Sequence, residues 1–375
     1  MDVLIGTAGG TGTGGVRSYI MTLRDALIGA GVGAELAFPD DVTTGMKAKA
    51  ALKAMGDRDK ARRELTRLIS QNAVQKSRAM HKTSGFDLIH AQEVNYGSMA
   101  PDLGLPVVLT VHGPVSREAK MLGKGGTHYF DYLVERERIA YERATHIIAV
   151  DTGQRDIVVE DYGIDPAKIT VILNAVDANR FAPKSQDEIP APAEPFFLVP
   201  RRLVPKNGVL TAVEAFEKLG DIKEKLWIAG EGPDLPRLES YVAANGLQDR
   251  VKFIGSVDSD RMVELVNQST GVIVPSVPVE GVVEASSISA LEGMSVGKPV
   301  LASKIGGLAE IIEHGVTGLH FEAGDANALA DVIRQASTDA DLCRRIGQNA
   351  RDAVLAEHSS EVWIKKVISV YERVL

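Results

Sequence analysis

Short apolar runs alternate with longer helix-periodic stretches along almost the whole chain, and they do so in two series. Runs at 2–6, 33–38, 86–90, 106–111, 146–150 and 169–173 read as strands. After a break they recur at 196–200, 226–229, 251–254, 271–275, 299–302 and 318–321. Strands spaced by helices cannot close hairpins, so they form parallel sheets covered by helices. Between the two series, 181–195 carries Pro183, Pro190, Pro192 and Pro195 among polar residues, the composition of a linker. The chain therefore reads as α/β, with a domain at 1–182, a second at 196–357, and a final segment, 358–375. Two such domains facing each other make a cleft, since open parallel sheets bind ligands beyond the carboxyl ends of their strands. In the final segment Trp363, Ile364, Val367, Ile368, Val370, Tyr371 and Val374 recur at helical spacing, a core-facing stripe.

One stretch breaks the rhythm. Segment 46–82 has no strand signal and holds eleven lysines and arginines against three acids, a local charge of +8 in a chain of net −8. Met46, Leu52, Leu65, Leu68, Ile69 and Val74 interleave with the charges, so one or two basic amphipathic helices are expected. A solvated helix face is the plainer reading; contact with an anionic acceptor or an anionic membrane surface is the sharper one. The mildly acidic whole chain argues against a nucleic-acid partner. Cys343 is the only cysteine, which excludes an intramolecular disulfide and a Cys-cluster zinc site. The first residues lack a basic leader and no apolar run is long enough to span a bilayer, so a cytoplasmic protein is expected, peripheral to the inner membrane face if 46–82 touches lipid.

Three glycine turns follow strands and open helices: Gly10-Thr11-Gly12-Thr13-Gly14-Gly15, Gly230-Glu231-Gly232-Pro233, and Gly306-Gly307 after Ser303. Each is a seat where backbone N–H groups can meet an anion. Gly10, Gly12 and Gly15 match a dinucleotide fingerprint, with Asp40 and Asp41 as the acids, which keeps a nicotinamide oxidoreductase open as an alternative. Glu284 and Glu292 stand eight positions apart, the first before a helix and the second inside it. Carboxylates so placed can hold hydroxyl pairs at two ends of one ligand, with free N–H groups of the helix start between them. The triplets Asp57-Arg58-Asp59, Asp258-Ser259-Asp260 and Asp339-Ala340-Asp341 sit in polar helical or turn contexts and read as solvated surface, so no metal site is assigned.

The pair and its surroundings resemble the E-x7-E signature of the retaining group 1, or GT4, glycosyltransferases. Val274-Pro275-Ser276 precedes it, and Gly293-Met294-Ser295-Val296-Gly297-Lys298-Pro299 follows. Arg202-Leu203-Val204-Pro205-Lys206, Trp227-Ile228-Ala229-Gly230-Glu231-Gly232-Pro233 and Asn174-Ala175-Val176-Asp177 are similar to further family segments, as are Gly14-Gly15-Val16 and Val111-His112-Gly113. The likeness spans nearly everything except 46–82. This chain departs from it with Ala285-Ser286-Ser287 where members often read Gly-Phe-Gly, and with Lys206 one residue closer to Arg202 than usual. The resemblance implies the GT-B fold, two Rossmann-like domains facing across a cleft with the C-terminal helix crossing back to the first. It implies retaining transfer from a nucleotide-diphosphate sugar, most often a UDP-sugar, to a glycan, lipid-linked or small-molecule acceptor, with no cofactor required. Arg202 and Lys206 would neutralise the diphosphate. Glu284 would hold the donor sugar and Glu292 the ribose. Ser287, Ile288 and Ser289 would meet the phosphates, Gly14 and Gly15 would let the first domain approach, and His112 would face the sugar. A non-catalytic sugar-nucleotide-binding protein is the remaining alternative.

Overall fold

The computed structural model describes residues 1–9, 14–185, 187–220 and 222–375. By its contacts the chain divides into two compact units. The first comprises Met1–Leu173, Glu280–Val282 and Trp363–Leu375, and the second Asn174–Val279 and Val283–Val362.

The first unit holds six parallel strands: β1 (Asp2–Gly6), β2 (Gly33–Ala37), β3 (Leu88–Ala91), β4 (Val107–Val111), β5 (His146–Ala149) and β6 (Ile169–Val171). They lie in the order β2-β1-β3-β4-β5-β6. The central strands β3, β4 and β5 are buried along their whole length, which is why they read as continuous apolar runs rather than alternating ones. Helices α1 (Gly15–Gly29), α2 (Thr44–Ala54), α3 (Arg58–Ser84), α4 (Val94–Gly97), α5 (Val115–Ala119) and α6 (His128–Arg143) join them. The basic segment is thus two helices, broken at Met55 and Gly56, both of positive φ. Along α3, Leu68, Ala73 and Val74 are buried, Arg58, Arg62, Lys76, Arg78 and Lys82 are exposed, and Glu64 is half-buried between Arg63 and Arg67. Asp57, Asp258 and Asp339, which open the three acid triplets, each cap a helix N-terminus with a carboxylate.

The second unit repeats the plan with β7 (Phe196–Val199), β8 (Lys225–Ala229), β9 (Val251–Gly255), β10 (Gly271–Val274), β11 (Val300–Ser303) and β12 (Leu319–Phe321). Their order is β12-β11-β10-β7-β8-β9, all parallel. Counted from β7 this is the 3-2-1-4-5-6 winding of dinucleotide-binding sheets, with its switch point between β7 and β10. The first sheet reverses between β1 and β3.

The contact boundary falls at Leu173, ahead of the proline-rich stretch. Ala175, Val176, Ala178 and Phe181 are buried, and Ser295 Oγ donates to the Phe181 carbonyl at 2.7 Å, so the strap from 174 packs with the second unit. The apolar stripe of the last helix (Ser360–Val374) buries Trp363, Ile364, Val367, Val370 and Tyr371. Trp363 meets Tyr19 edge-on at 5.1 Å, and Tyr371 Oη bonds His90 Nδ1 at 2.6 Å, which joins this helix to α1 and β3. No helix among the described residues is long and apolar enough to cross a membrane.

Candidate active site

The switch point of the second sheet is flanked by the loops that leave β7 and β10, and these loops carry a buried ion pair. Arg201 Nη2 lies 2.6 Å from Glu284 Oε2, with side chains only 9% and 10% exposed. The guanidinium also donates to Asn207 Oδ1 at 2.6 Å, Ser276 Oγ at 3.1 Å and Ser287 Oγ at 3.1 Å. Burial alone would raise the Glu284 carboxyl. The Arg201 charge and hydrogen bond, together with Lys206 and Ser276, outweigh it and hold Glu284 below its ordinary value.

Arg201, rather than the expected Arg202, makes the side-chain contact with Glu284. Arg202 points outward and is exposed; its carbonyl, not its side chain, enters the network, accepting from Asn207 Nδ2 at 2.7 Å. Two adjacent arginines after a buried strand carry no periodic signal of which one turns inward; the backbone turn from Val199 decides it. Lys206 also acts on Glu284 electrostatically.

The glycine turns have a mechanical duty here. A Cβ on Gly230 would sit 2.0 Å from the Arg201 carbonyl oxygen, and one on Gly307 would sit 2.2 Å from the Ser286 nitrogen. Gly307 N–H donates to the Glu284 carbonyl at 3.0 Å. These turns, read from sequence as anion seats, press backbone against backbone and fix the Arg201 and Glu284 loops. Asn174 completes the support: its N–H donates to Ser286 Oγ at 2.9 Å and its side-chain amide to the Ser286 carbonyl.

The helix Ile288–Ser295 begins directly after Ser287. Its first N–H groups have no partner within the helix. Ser289 Oγ donates to the Pro200 carbonyl at 3.0 Å, tying the helix start to the end of β7. One turn further in, burial pushes the Glu292 carboxyl up to about 8, with Arg180 the cation that partly offsets it. Arg201, Glu284 and Ser287 are therefore in direct contact, and Glu292 stands farther along the same helix.

In the first unit His112 follows the last residue of β4. Its Nε2–H donates to Gln92 Oε1 at 3.2 Å, and the Tyr19 ring meets it edge-on at 4.6 Å. Burial lowers the imidazole to about 3, so it is neutral at physiological pH. Gly14 caps α1 at φ 140°, and Gly15 is the first residue of that helix. Residues 10–13 of the glycine motif lie outside the described residues. Asp40, the acid that motif would need, is engaged by Lys76 Nζ at 3.1 Å and Asn72 Nδ2 at 3.1 Å from α3.

Family models match both units: residues 13–180 match Glycosyltransferase Family 4, and 182–353 match the Glycosyl transferases group 1. The chain belongs to the group 1 glycosyltransferases. Every second-unit site residue named above, from Arg201 to Glu292, falls inside the second match, and His112 inside the first. N-acetyl-alpha-D-glucosaminyl L-malate synthase of Bacillus anthracis is 32% identical over 44% of this chain and 41% of its own length. Alpha-maltose-1-phosphate synthase of Mycolicibacterium smegmatis is 28% identical over 72% of this chain and 74% of its own. HepE of Anabaena, solved with UDP and glucose, superposes with a TM-score of 0.75 at 19% identity, covering 99% of each chain. The fold of this group 1 enzyme is accordingly GT-B, built from two Rossmann-like domains.

Proposed function

We propose that this glycosyltransferase takes a hexosyl unit from a UDP-sugar and transfers it with retention of anomeric configuration. The observation that carries the reading is the Arg201–Glu284–Ser287 cluster at the switch point of the second sheet, next to the start of the helix Ile288–Ser295. The departing diphosphate gains charge as the sugar carbon becomes cationic, so preorganised cations and N–H groups there lower the barrier. Arg201 and Lys206 supply the cations, with Arg202 at the rim. Ser287, Ile288 and Ser289 supply the helix start. Glu284 takes the sugar hydroxyls, Glu292 the ribose hydroxyls, and neutral His112 a sugar hydroxyl from the first domain, where Gly14 and Gly15 permit close approach. No metal is given a role, since these groups perform its electrostatic task. The UDP and glucose held by HepE support a UDP-hexose donor. The acceptor is a glycan, a lipid-linked sugar or a small molecule. Leu52 and Met55, 81% and 93% exposed beside Lys53, support peripheral contact of α2 with an anionic surface.

A proton-linkage experiment tests the ribose assignment. With its carboxyl near 8, Glu292 is mostly protonated at pH 7 in the free protein. Ribose hydroxyls donate to the anion and lower that value in the complex. Binding of UDP at pH 7 should then release up to one proton, and affinity should rise as pH climbs from 6 to 8, by at most about tenfold per unit. Calorimetry in Tris and in phosphate reads the release as a difference in apparent enthalpy. Glu292→Gln should bind UDP more weakly and abolish that difference. Equal enthalpies in both buffers for the unaltered protein would remove Glu292 from the nucleotide site.

A further inference from the structure

Within the first unit, the side chain that sets the chemistry of His112 is Gln92. The two stand at the carboxyl ends of neighbouring strands. Gln92 directly follows β3 and His112 directly follows β4, and these strands pair in parallel. The Gln92 N–H donates to the Gly6 carbonyl at 2.9 Å, which carries the β1–β3 ladder one residue past the strand and fixes the Gln92 backbone.

The imidazole is held from two directions. The Tyr19 ring meets it edge-on at 4.6 Å, and Tyr19 Oη is itself tied to Thr110 Oγ1 at 3.3 Å. Tyr19 leaves open a half-turn of the imidazole about its Cβ–Cγ bond, which exchanges ring nitrogens with ring carbons. The bond from Nε2 to Gln92 Oε1 selects one of the two settings. His112 is half-buried, and among the described residues its Nδ1 has no hydrogen-bond partner.

Gln92 is a poor choice for stability. It is fully buried, and its Nε2 has no partner. Among the described residues the bond to His112 is the only one its side chain makes. A buried amide left half unsatisfied is rare and carries a desolvation penalty that an apolar side chain of the same length would avoid. Its effect on His112 accounts for the glutamine. A neutral imidazole has one N–H and one lone pair, and the partner of one nitrogen decides which is which. The Gln92 amide oxygen only accepts, so the proton sits on Nε2 and the lone pair on Nδ1.

We infer that Gln92 is a positioning residue: it holds His112 as the Nε2–H tautomer, so that Nδ1 meets the substrate as a hydrogen-bond acceptor. The sugar hydroxyl that His112 contacts must then donate its own proton to the ring. Only the sugar hydroxyl rests on the glycosyl-transfer reading; the tautomer stands on the geometry of Gln92, Tyr19 and His112. Because burial keeps the imidazole neutral at physiological pH, Nδ1 stays unprotonated there.

The test is heteronuclear NMR on the full chain with isotope-labelled histidine, in which protonated and bare ring nitrogens give separate signals. The chain has eight histidines, and the His112 signals are those lost in His112→Phe. At pH 8 the parent should show His112 with its proton on Nε2. Gln92→Met, which keeps the length and removes the acceptor, should give a mixture of tautomers. It should also lower kcat/KM for UDP-glucose about tenfold, with UDP affinity unchanged. Gln92→Glu, which keeps an acceptor oxygen, should return the proton to Nε2 and recover most of the turnover. A parent with the proton on Nδ1 overturns the inference. So does a Gln92→Met protein with parental tautomer or parental turnover, or a Gln92→Glu protein no better than Gln92→Met. If the tautomers behave as expected and the parent turns over no UDP-sugar, the hold of Gln92 on His112 stands and the glycosyl-transfer reading fails.

Discussion

Replacing Arg201 by Met should cost about 3–5 kcal/mol of unfolding free energy, whereas Arg202→Ala should change it by no more than about 0.5 kcal/mol. The asymmetry comes from burial. Arg201 and Glu284 are both about nine-tenths buried, and removing the guanidinium leaves the carboxylate to Lys206 and Ser276 alone. Three further hydroxyl and amide acceptors, Asn207, Ser276 and Ser287, lose the same donor. The pH dependence should change as well. A carboxyl held below its ordinary value adds stability above that value and loses it as pH falls. In Arg201→Met burial is opposed only by Lys206 and Ser276, so the Glu284 carboxyl rises and the sign of its contribution reverses: lowering the pH from 7 to 5 protonates it and should recover part of the lost stability. Urea unfolding at pH 7 and pH 5 measures both effects. A larger cost at Arg202 than at Arg201 would mean that the inner cation has been misassigned.

The second large effect is catalytic. Glu284→Gln keeps the shape of the side chain and removes its charge. If Glu284 grips the donor sugar, turnover should fall by about 10²–10³, the loss seen when one preorganised electrostatic contact is removed from a transition state. UDP alone contacts no sugar subsite, so its affinity should stay within about threefold. Steady-state release of UDP from UDP-glucose, together with calorimetry on UDP, separates the two. Equal losses in turnover and UDP affinity would place Glu284 on the nucleotide, and unchanged turnover would place it outside the site.

Much of this was readable before any coordinates. All twelve strands lie within two residues of their expected bounds; those buried along their whole length, such as β4 and β10, appear as uninterrupted apolar runs and need no tertiary information. Glu284 lies before the helix Ile288–Ser295 and Glu292 inside it, as expected. Tertiary contacts hid the rest. Phe181 and its neighbours are buried among second-unit residues, so the contact boundary lies at Leu173, while the two family matches meet at 180–182 beside the proline-rich stretch. Arg201 and Arg202 are indistinguishable by pattern. Gly230 and Gly307 looked like phosphate turns, and only the approach of the Arg201 and Ser286 backbones reveals why a side chain would not fit.

The central claim, retaining transfer from a UDP-hexose, can be tested without knowing the acceptor, since water can take the sugar slowly in its place. The enzyme is incubated with α-linked UDP-glucose, UDP-galactose and UDP-N-acetylglucosamine, and the anomeric proton of the freed sugar is followed by NMR before mutarotation. The account predicts that at least one donor releases its sugar first as the α anomer, and that Arg201→Met and Glu284→Gln abolish the signal. A sugar that appears first as the β anomer, or the absence of both UDP binding and hydrolysis across the three donors, would contradict it.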